Sequence, residues 1–198
     1  MTTAVLTMEM QRGVCGDLAV LPHLRDAVAE RGVLPALAKL VRAARAHNLP
    51  VVHCTVAYRP DRRGTPVNAP LLKALSRAGP GPMVEGSPGA ELLPELEPAA
   101  SDVVESRRHG MSPFAGTSLD ATLRALGVTT VVATGVSVNI GVFGLVVEAV
   151  NHGYRVIVPQ DAVVGVPPSY GDAVLASSIS LLATLTTVDE VIGSWSAA

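Results

Sequence analysis

Gly135-Val136-Ser137-Val138-Asn139-Ile140-Gly141 joins two apolar runs of different length. Before it, Thr129 to Gly135 reads as a buried strand. After it, Asn139 to Asn151 is long enough for a helix and apolar almost all round, with Glu148 its only charge. A strand that turns directly into a buried helix is the repeating unit of an α/β fold. At such a turn, backbone N–H groups face the space beyond the strand end, where they can hold an oxyanion or a carboxylate. Gly141 falls in the first turn of the helix. Glycine there costs up to about 1 kcal/mol relative to alanine. Something must want the absent side chain: a neighbouring element packs close, or a ligand occupies the space.

The same rhythm extends in both directions. Downstream, Gly153 ends the helix, Tyr154 to Pro159 is a strand, Ser169 to Ala183 a helix, and Leu185 to Val188 a short last strand. Upstream, Leu119 to Leu126 is a helix closed by Gly127, and Asp102 to Arg107 is a strand. Further back, Val51 to Val56 is an apolar strand after Pro50. Leu34, Leu37, Leu40, Val41 and Ala44 recur at helical spacing, and Ala4 to Met10 is the first strand. Residues 57–100 are rich in Pro and Gly, with short helices expected around Leu71–Leu75 and Gly89–Leu96. A connection of that length predicts a pocket cover or an oligomer contact. Strands alternating with helices predict a three-layer α/β/α fold around a mostly parallel, six-stranded sheet. The whole chain, 1–198, is read as one domain.

Composition narrows the function. Hydrophobic residues make up 48% and charged residues 16%, which argues for a cored fold against disorder. Aromatics are only 3%, so the core must be aliphatic. A net charge of −2 gives no electrostatic case for nucleic acid or for an anionic membrane. No apolar run reaches the roughly 20 residues of a membrane span. Met1-Thr2-Thr3-Ala4-Val5-Leu6 has no basic segment before its apolar stretch, so no signal peptide is read there and a cytoplasmic location is expected. Cys15 and Cys54 lack metal or redox spacing. Cys54, inside a strand, reads as a small buried hydrophobe, and Cys15, in a Gly-rich loop, as the more accessible thiol. His23, His47 and His152 are scattered, and His53 lies inside an apolar strand as a core histidine. Nothing calls for a metal or another cofactor, and no Gly-x-Gly-x-x-Gly follows the first strand.

In parallel sheets ligands bind at the carboxyl ends of the strands. Three ends carry chemistry here: Glu9 and Gln11; Arg107, Arg108 and His109; and the 135–141 turn with Ser137 and Asn139. They converge only if their strands are neighbours. Glu9 is either a capping acid or a pocket carboxylate, and apolar walls would favour acid/base use. Arg107 and Arg108 face opposite ways on a strand, so one of them can enter the pocket. Phe114 reads as a packing residue at a loop-to-helix junction. Tyr58, Arg59, Arg62 and Arg63 either line the pocket or form a solvated surface or a subunit contact.

Taken together, these segments resemble the isochorismatase-like (cysteine) hydrolase superfamily. The resemblance rests on Val5-Leu6-Thr7-Met8-Glu9-Met10-Gln11, Ser87-Pro88-Gly89-Ala90-Glu91, Asp102-Val103-Val104, Ser112-Pro113-Phe114-Ala115-Gly116-Thr117, Gly135-Val136-Ser137-Val138-Asn139, Gly153-Tyr154-Arg155-Val156 and Asp161-Ala162. It implies a homodimer or homotetramer and a small-molecule substrate. It also implies an Asp-Lys-Cys triad, in which a thiolate attacks an amide carbonyl. A cis peptide, here Val136–Ser137, would help to form an oxyanion hole from the N–H groups of Ser137 and Gly141. This chain departs from the triad at each position. Glu9 stands for the Asp and Gly141 for the Cys. The Lys position falls on Arg107 when counted from Asp102, and on Arg108 when counted back from Phe114.

The reading that follows is a hydrolase without a cysteine nucleophile, acting on a small, anionic metabolite. Glu9 is its acid/base, Arg107 its anion anchor, and Gly141 stands at the vacated nucleophile position. Gln11, Arg108, His109, Phe114, Val136, Ser137 and Asn139 are the expected substrate contacts. Within the resembled superfamily, isochorismatases tolerate Gly at the Cys position and need a carboxylic acid to protonate an enol carbon. A close arginine opposes that use of Glu9. The alternatives are an inactive relative that binds a metabolite or partner, and a cofactor-free isomerase or lyase.

Overall fold

The structure is a computed structural model, and it describes residues 2–77, 81 and 83–196. Residues 78–80 and 82 of the 57–100 connection, and the chain ends at 1, 197 and 198, lie outside the described residues. Seven strands form one parallel sheet. They are β1 (Thr2–Met8), β2 (Val51–Val56), β3 (Val103–Arg107), β4 (Val128–Val136), β5 (Arg155–Pro159), β6 (Val163–Val164) and β7 (Thr184–Thr186). Their order is β3-β2-β1-β4-β5-β7, with β6 paired to β4 beyond the end of β5. Six of these strands match the expected set. The seventh, β6, is two residues long and too short to leave a periodic signal.

The helices are α1 (Arg12–Cys15), α2 (Pro22–Glu30), α3 (Val33–Ala46), α4 (Pro70–Arg77), α5 (Leu119–Ala125), α6 (Phe143–Asn151), α7 (Pro168–Ser177) and α8 (Val188–Ser196). The expected helix at 169–183 stops at Ser177, and Val188, expected in the last strand, begins α8 instead. No helix among the described residues is long and apolar enough to cross a membrane.

β1 is buried from Ala4 to Met8 because both faces of the sheet are covered, which is why its sequence is continuously apolar rather than alternating. Successive residues still point to opposite faces. Val5 packs with Leu37, Leu40, Val41 and Ala44 of α3 and with Val188 and Val191 of α8. Ala4, Leu6 and Met8 pack with Leu119 and Leu123 of α5 and with Leu145, Val146 and Ala149 of α6. The charge within α6 is accounted for: Ser112 donates a short hydrogen bond to Glu148. That bond ties the 112–117 loop to the helix.

One polar chain crosses the first three strands. Thr7 lies 2.8 Å from Nδ1 of the fully buried His53, and His53 Nε2 lies 3.2 Å from Asp102. Arg45 of α3 donates twice to the same carboxylate, at 2.6 and 3.1 Å. This satisfies a histidine that the sequence places inside an apolar strand. Cys54 is fully buried, as expected. Cys15, expected to be the accessible thiol, is 3% exposed, because α1 turns its side chain inward under the backbone of Glu9 and Gln11. Both thiols are free.

Candidate functional site

The strand order makes β3, β2, β1 and β4 consecutive, so the chemistry-bearing ends do meet. Between them lies a cavity of about 270 Å³, just under the roughly 300–1,000 Å³ usual for drug-sized ligands. Glu9, Arg107, Ser137, Asn139 and Gly141 all line it.

Glu9 follows β1 directly and has φ +53°, a left-handed conformation that costs a non-glycine residue about 1–2 kcal/mol. The kink turns its carboxylate over the sheet edge. Its N–H donates to Cys54 O at 2.8 Å and its carbonyl accepts from Gln11 N at 2.8 Å, which over-determines the turn. Arg107 closes β3 and is 3% exposed. Its Nη2 donates to Glu9 Oε1 and its Nε to Gly110 O at 3.3 Å. Its Nη1 is buried with no partner. Of the two arginines, Arg107 is the one that faces the cavity. Arg108 faces outward and pairs with Glu85 at 2.8 Å, with both side chains about half exposed.

The 135–141 turn takes the expected shape. The Val136–Ser137 peptide is cis, and residues Val138–Val142 form a π-helical turn that runs into α6. Gly135 has φ +95°, and a Cβ there would lie 2.3 Å from Met8 O. β1 and β4 approach so closely that only glycine fits. At Gly141 an added Cβ would meet Val136 O at 2.9 Å and Met8 Cε at 3.1 Å. The space beside Gly141 is thus held by the protein itself, by a carbonyl and by the Met8 side chain. Of the two causes offered by the sequence, close packing is the one found. Asn139 holds the far wall: its Oδ1 accepts from Val166 N at 3.2 Å and its Nδ2 donates to Val166 O at 3.4 Å.

The remaining expected contacts lie outside the cavity wall. Gln11 is fully buried, and both of its amide hydrogens are used, on Val56 O at 3.0 Å and Ala90 O at 2.8 Å, so it braces the 57–100 connection. Phe114 stacks on His152 and Tyr154, with ring centroids 4.9 and 6.2 Å away, and packs as a core residue. His109 is exposed near Gly64. Val136 contributes its carbonyl beneath Gly141 rather than a side chain to the cavity. In the long connection Tyr58 and Arg62 do line the cavity, with the guanidinium 4.4 Å from the ring centroid. Arg59 is exposed and pairs with Asp61, and Arg63 is exposed on the same turn.

Most of the wall was not legible in the sequence. Val14, Leu21 and Leu24 come from α1, α2 and the loop between them, Leu71, Leu72 and Leu75 from α4, and Met83, Met111, Ile140 and Val166 from loops and the turn. The amphipathic spacing of 71, 72 and 75 signalled a helix, but nothing local signals which surface an isolated apolar face covers. Among the described residues no group of three or more His, Cys, Asp or Glu is placed to hold a metal.

A parallel sheet with a small cavity over its carboxyl edge is the architecture of an α/β enzyme. The Isochorismatase domain model matches residues 3–190, and the chain belongs to the isochorismatase family. It is 36% identical over 130 residues to maleamate amidohydrolase of Pseudomonas putida, a match covering 64% of this chain and 57% of that enzyme's length. It is 30% identical over 168 residues to the isochorismatase family protein YecD of Escherichia coli O157:H7, covering 81% and 79% of the two chains. The solved structure of an isochorismatase family protein from Desulfovibrio vulgaris superposes with a TM-score of 0.81 at 28% identity, over 97% of this chain and 98% of that one.

Proposed function

We propose that this protein hydrolyses a small carbonyl or vinyl-ether compound without a cysteine nucleophile, with Glu9 moving the proton and Arg107 anchoring a substrate oxygen. The observation that carries the reading is the Glu9–Arg107 pair, set in a cavity wall and reaching across the end of β2 from β1 and β3. The Glu9 carboxylate presents a proton acceptor over the cavity. Glu9 is therefore suited to take a proton from a water attacking a carbonyl carbon and to return it to the departing nitrogen or oxygen. That role serves amides and esters, whereas vinyl ethers require a proton donor first. Arg107 Nη1 is the donor left over to polarise the carbonyl, together with the 137–141 backbone. The similarity to maleamate amidohydrolase points to the same bond class.

The packed space beside Gly141 and the engaged carboxylate also fit a relative that binds its ligand without turnover. A screen of small amides, esters and vinyl ethers with wild type and Glu9→Gln separates the two. Hydrolysis predicts a loss of at least about 10²-fold in kcat/KM for the variant on whichever substrate is turned over. Equal rates remove Glu9 from the mechanism. Ligand-induced thermal stabilisation with no turnover of any substrate selects the binding reading.

A further inference from the structure

The cavity presents two chemically different parts to a ligand. The buried head of the site is a single unsatisfied donor, Arg107 Nη1, on a side chain that is 3% exposed. A buried N–H without a partner is uncommon in folded proteins and calls for an acceptor. Glu9 and Arg107 neutralise each other, and the Arg62 guanidinium sits over the Tyr58 ring. Much of the wall is aliphatic: Leu24, Leu72, Leu75, Met83, Met111 and Ile140 face the same space from five separate segments, beside the polar His23, Arg62, Ser137 and Asn139. A second polar group placed against the aliphatic side chains would lose water without a partner. The ring in the wall is Tyr58, and one of its faces carries the Arg62 guanidinium.

We infer that the ligand of this site has one carbonyl or carboxylate oxygen, which accepts from Arg107 Nη1, and a compact saturated hydrocarbon body that fills the leucine-and-methionine wall. This deepens the proposed function and rests on its choice of site. The wall sets specificity through apolar burial, and the arginine sets orientation through one hydrogen bond. The α4 residues Leu72 and Leu75 are then specificity-determining, although neither touches Glu9 or Arg107 chemistry.

The test is a calorimetric binding panel on the full chain, with cyclohexanecarboxamide and cyclohexanecarboxylate as apolar-bodied probes and succinamate and malonamate as polar probes. The apolar-bodied probes are expected to bind at least tenfold more tightly than the polar ones. Leu75→Asp, on a half-buried helix face, is expected to abolish that preference while the circular dichroism spectrum stays unchanged. If that variant fails to fold, Leu75→Ser provides the same comparison. Polar probes binding as tightly as apolar ones would overturn the inference, as would an unchanged preference in a folded Leu75 variant. Failure of the hydrolase reading looks different. Tight binding of cyclohexanecarboxamide without hydrolysis keeps the ligand class and discards the reaction, whereas Glu9-dependent hydrolysis of succinamate alone does the reverse.

Discussion

At Gly141 the backbone and the Met8 side chain leave little room for a side chain. A cysteine there would have its Cβ 2.9 Å from Val136 O and 3.1 Å from Met8 Cε. Gly141→Cys is therefore expected to destabilise the fold by about 1–3 kcal/mol, the usual cost of overpacking, and to confer no thiol-dependent amide hydrolysis. Urea unfolding checks the first part. In a Met8→Ala background the added cost of the cysteine should shrink, because one of the two contacts is gone. Equal costs in both backgrounds would mean that Met8 is not what closes the position. The two native thiols are free and buried. Burial pushes Cys15 and Cys54 up to about 12, so thiolate is scarce at neutral pH. Iodoacetamide at pH 8 should leave the folded protein unlabelled and its activity intact, while the urea-unfolded chain labels at both positions. Mass spectrometry reads the difference, and rapid labelling of the native protein would contradict the buried placement.

At the scale of elements, the site is a meeting of strand ends held by loops that brace one another. The π-helical turn at Val138–Val142 is attached to the segment after β6 chiefly by Asn139, through two hydrogen bonds to Val166. Asn139→Ala is expected to lower stability by about 1–2 kcal/mol through the lost bonds. It should also weaken ligand binding more than it lowers turnover of bound substrate, raising KM with little change in kcat. A fall in kcat at constant KM would instead place Asn139 on the reacting atoms. Gln11 does the corresponding work on the other side, tying the segment after β1 to the end of β2 and, through Ala90, to the 57–100 connection. This is why a residue that the sequence offers as a substrate contact proves to be a brace.

For the whole molecule, the buried chain Thr7–His53–Asp102–Arg45 links the sheet to α3 and makes stability depend on pH. Burial pushes the His53 imidazole below its ordinary range, against the opposing pull of Asp102. The folded state therefore keeps it neutral where an unfolded histidine, at about 6.5, would already be protonated. Burial also opposes ionisation of Asp102, but Arg45, the Ala99 N–H and His53 together hold it below the usual carboxylate range. Both depressions have the same sign. Each contributes stability above the unfolded value that is lost as pH falls towards the folded one. The histidine step comes first, below about pH 6.5, and the aspartate step follows below about pH 4. His53→Gln is expected to reduce stability at pH 7.5 and to flatten the decline between pH 7.5 and 5.5, as read from urea midpoints. An equal decline in both proteins would assign it to another group.

Sequence alone determined the layers. Apolar runs of strand and helix length alternate, and burial on both faces leaves few other ways to cover them, so the parallel α/β/α sheet and its strand-to-helix turn followed from local patterning. The residues at the counted positions, Glu9, Arg107 or Arg108, and Gly141, were equally plain, because they are read directly from the sequence. The two-residue strand β6, the helices α1, α2 and α8, and the end of α7 were not legible, since short or packing-dependent elements carry little periodic signal. Only the tertiary structure decided the site. It selected Arg107 over Arg108 by the side of β3 that each faces, and it filled the space beside Gly141 with Met8. It also gathered an aliphatic wall from segments more than a hundred residues apart. Those outcomes depend on which surfaces meet, and residues far apart in a chain meet only after every element between them has found its place.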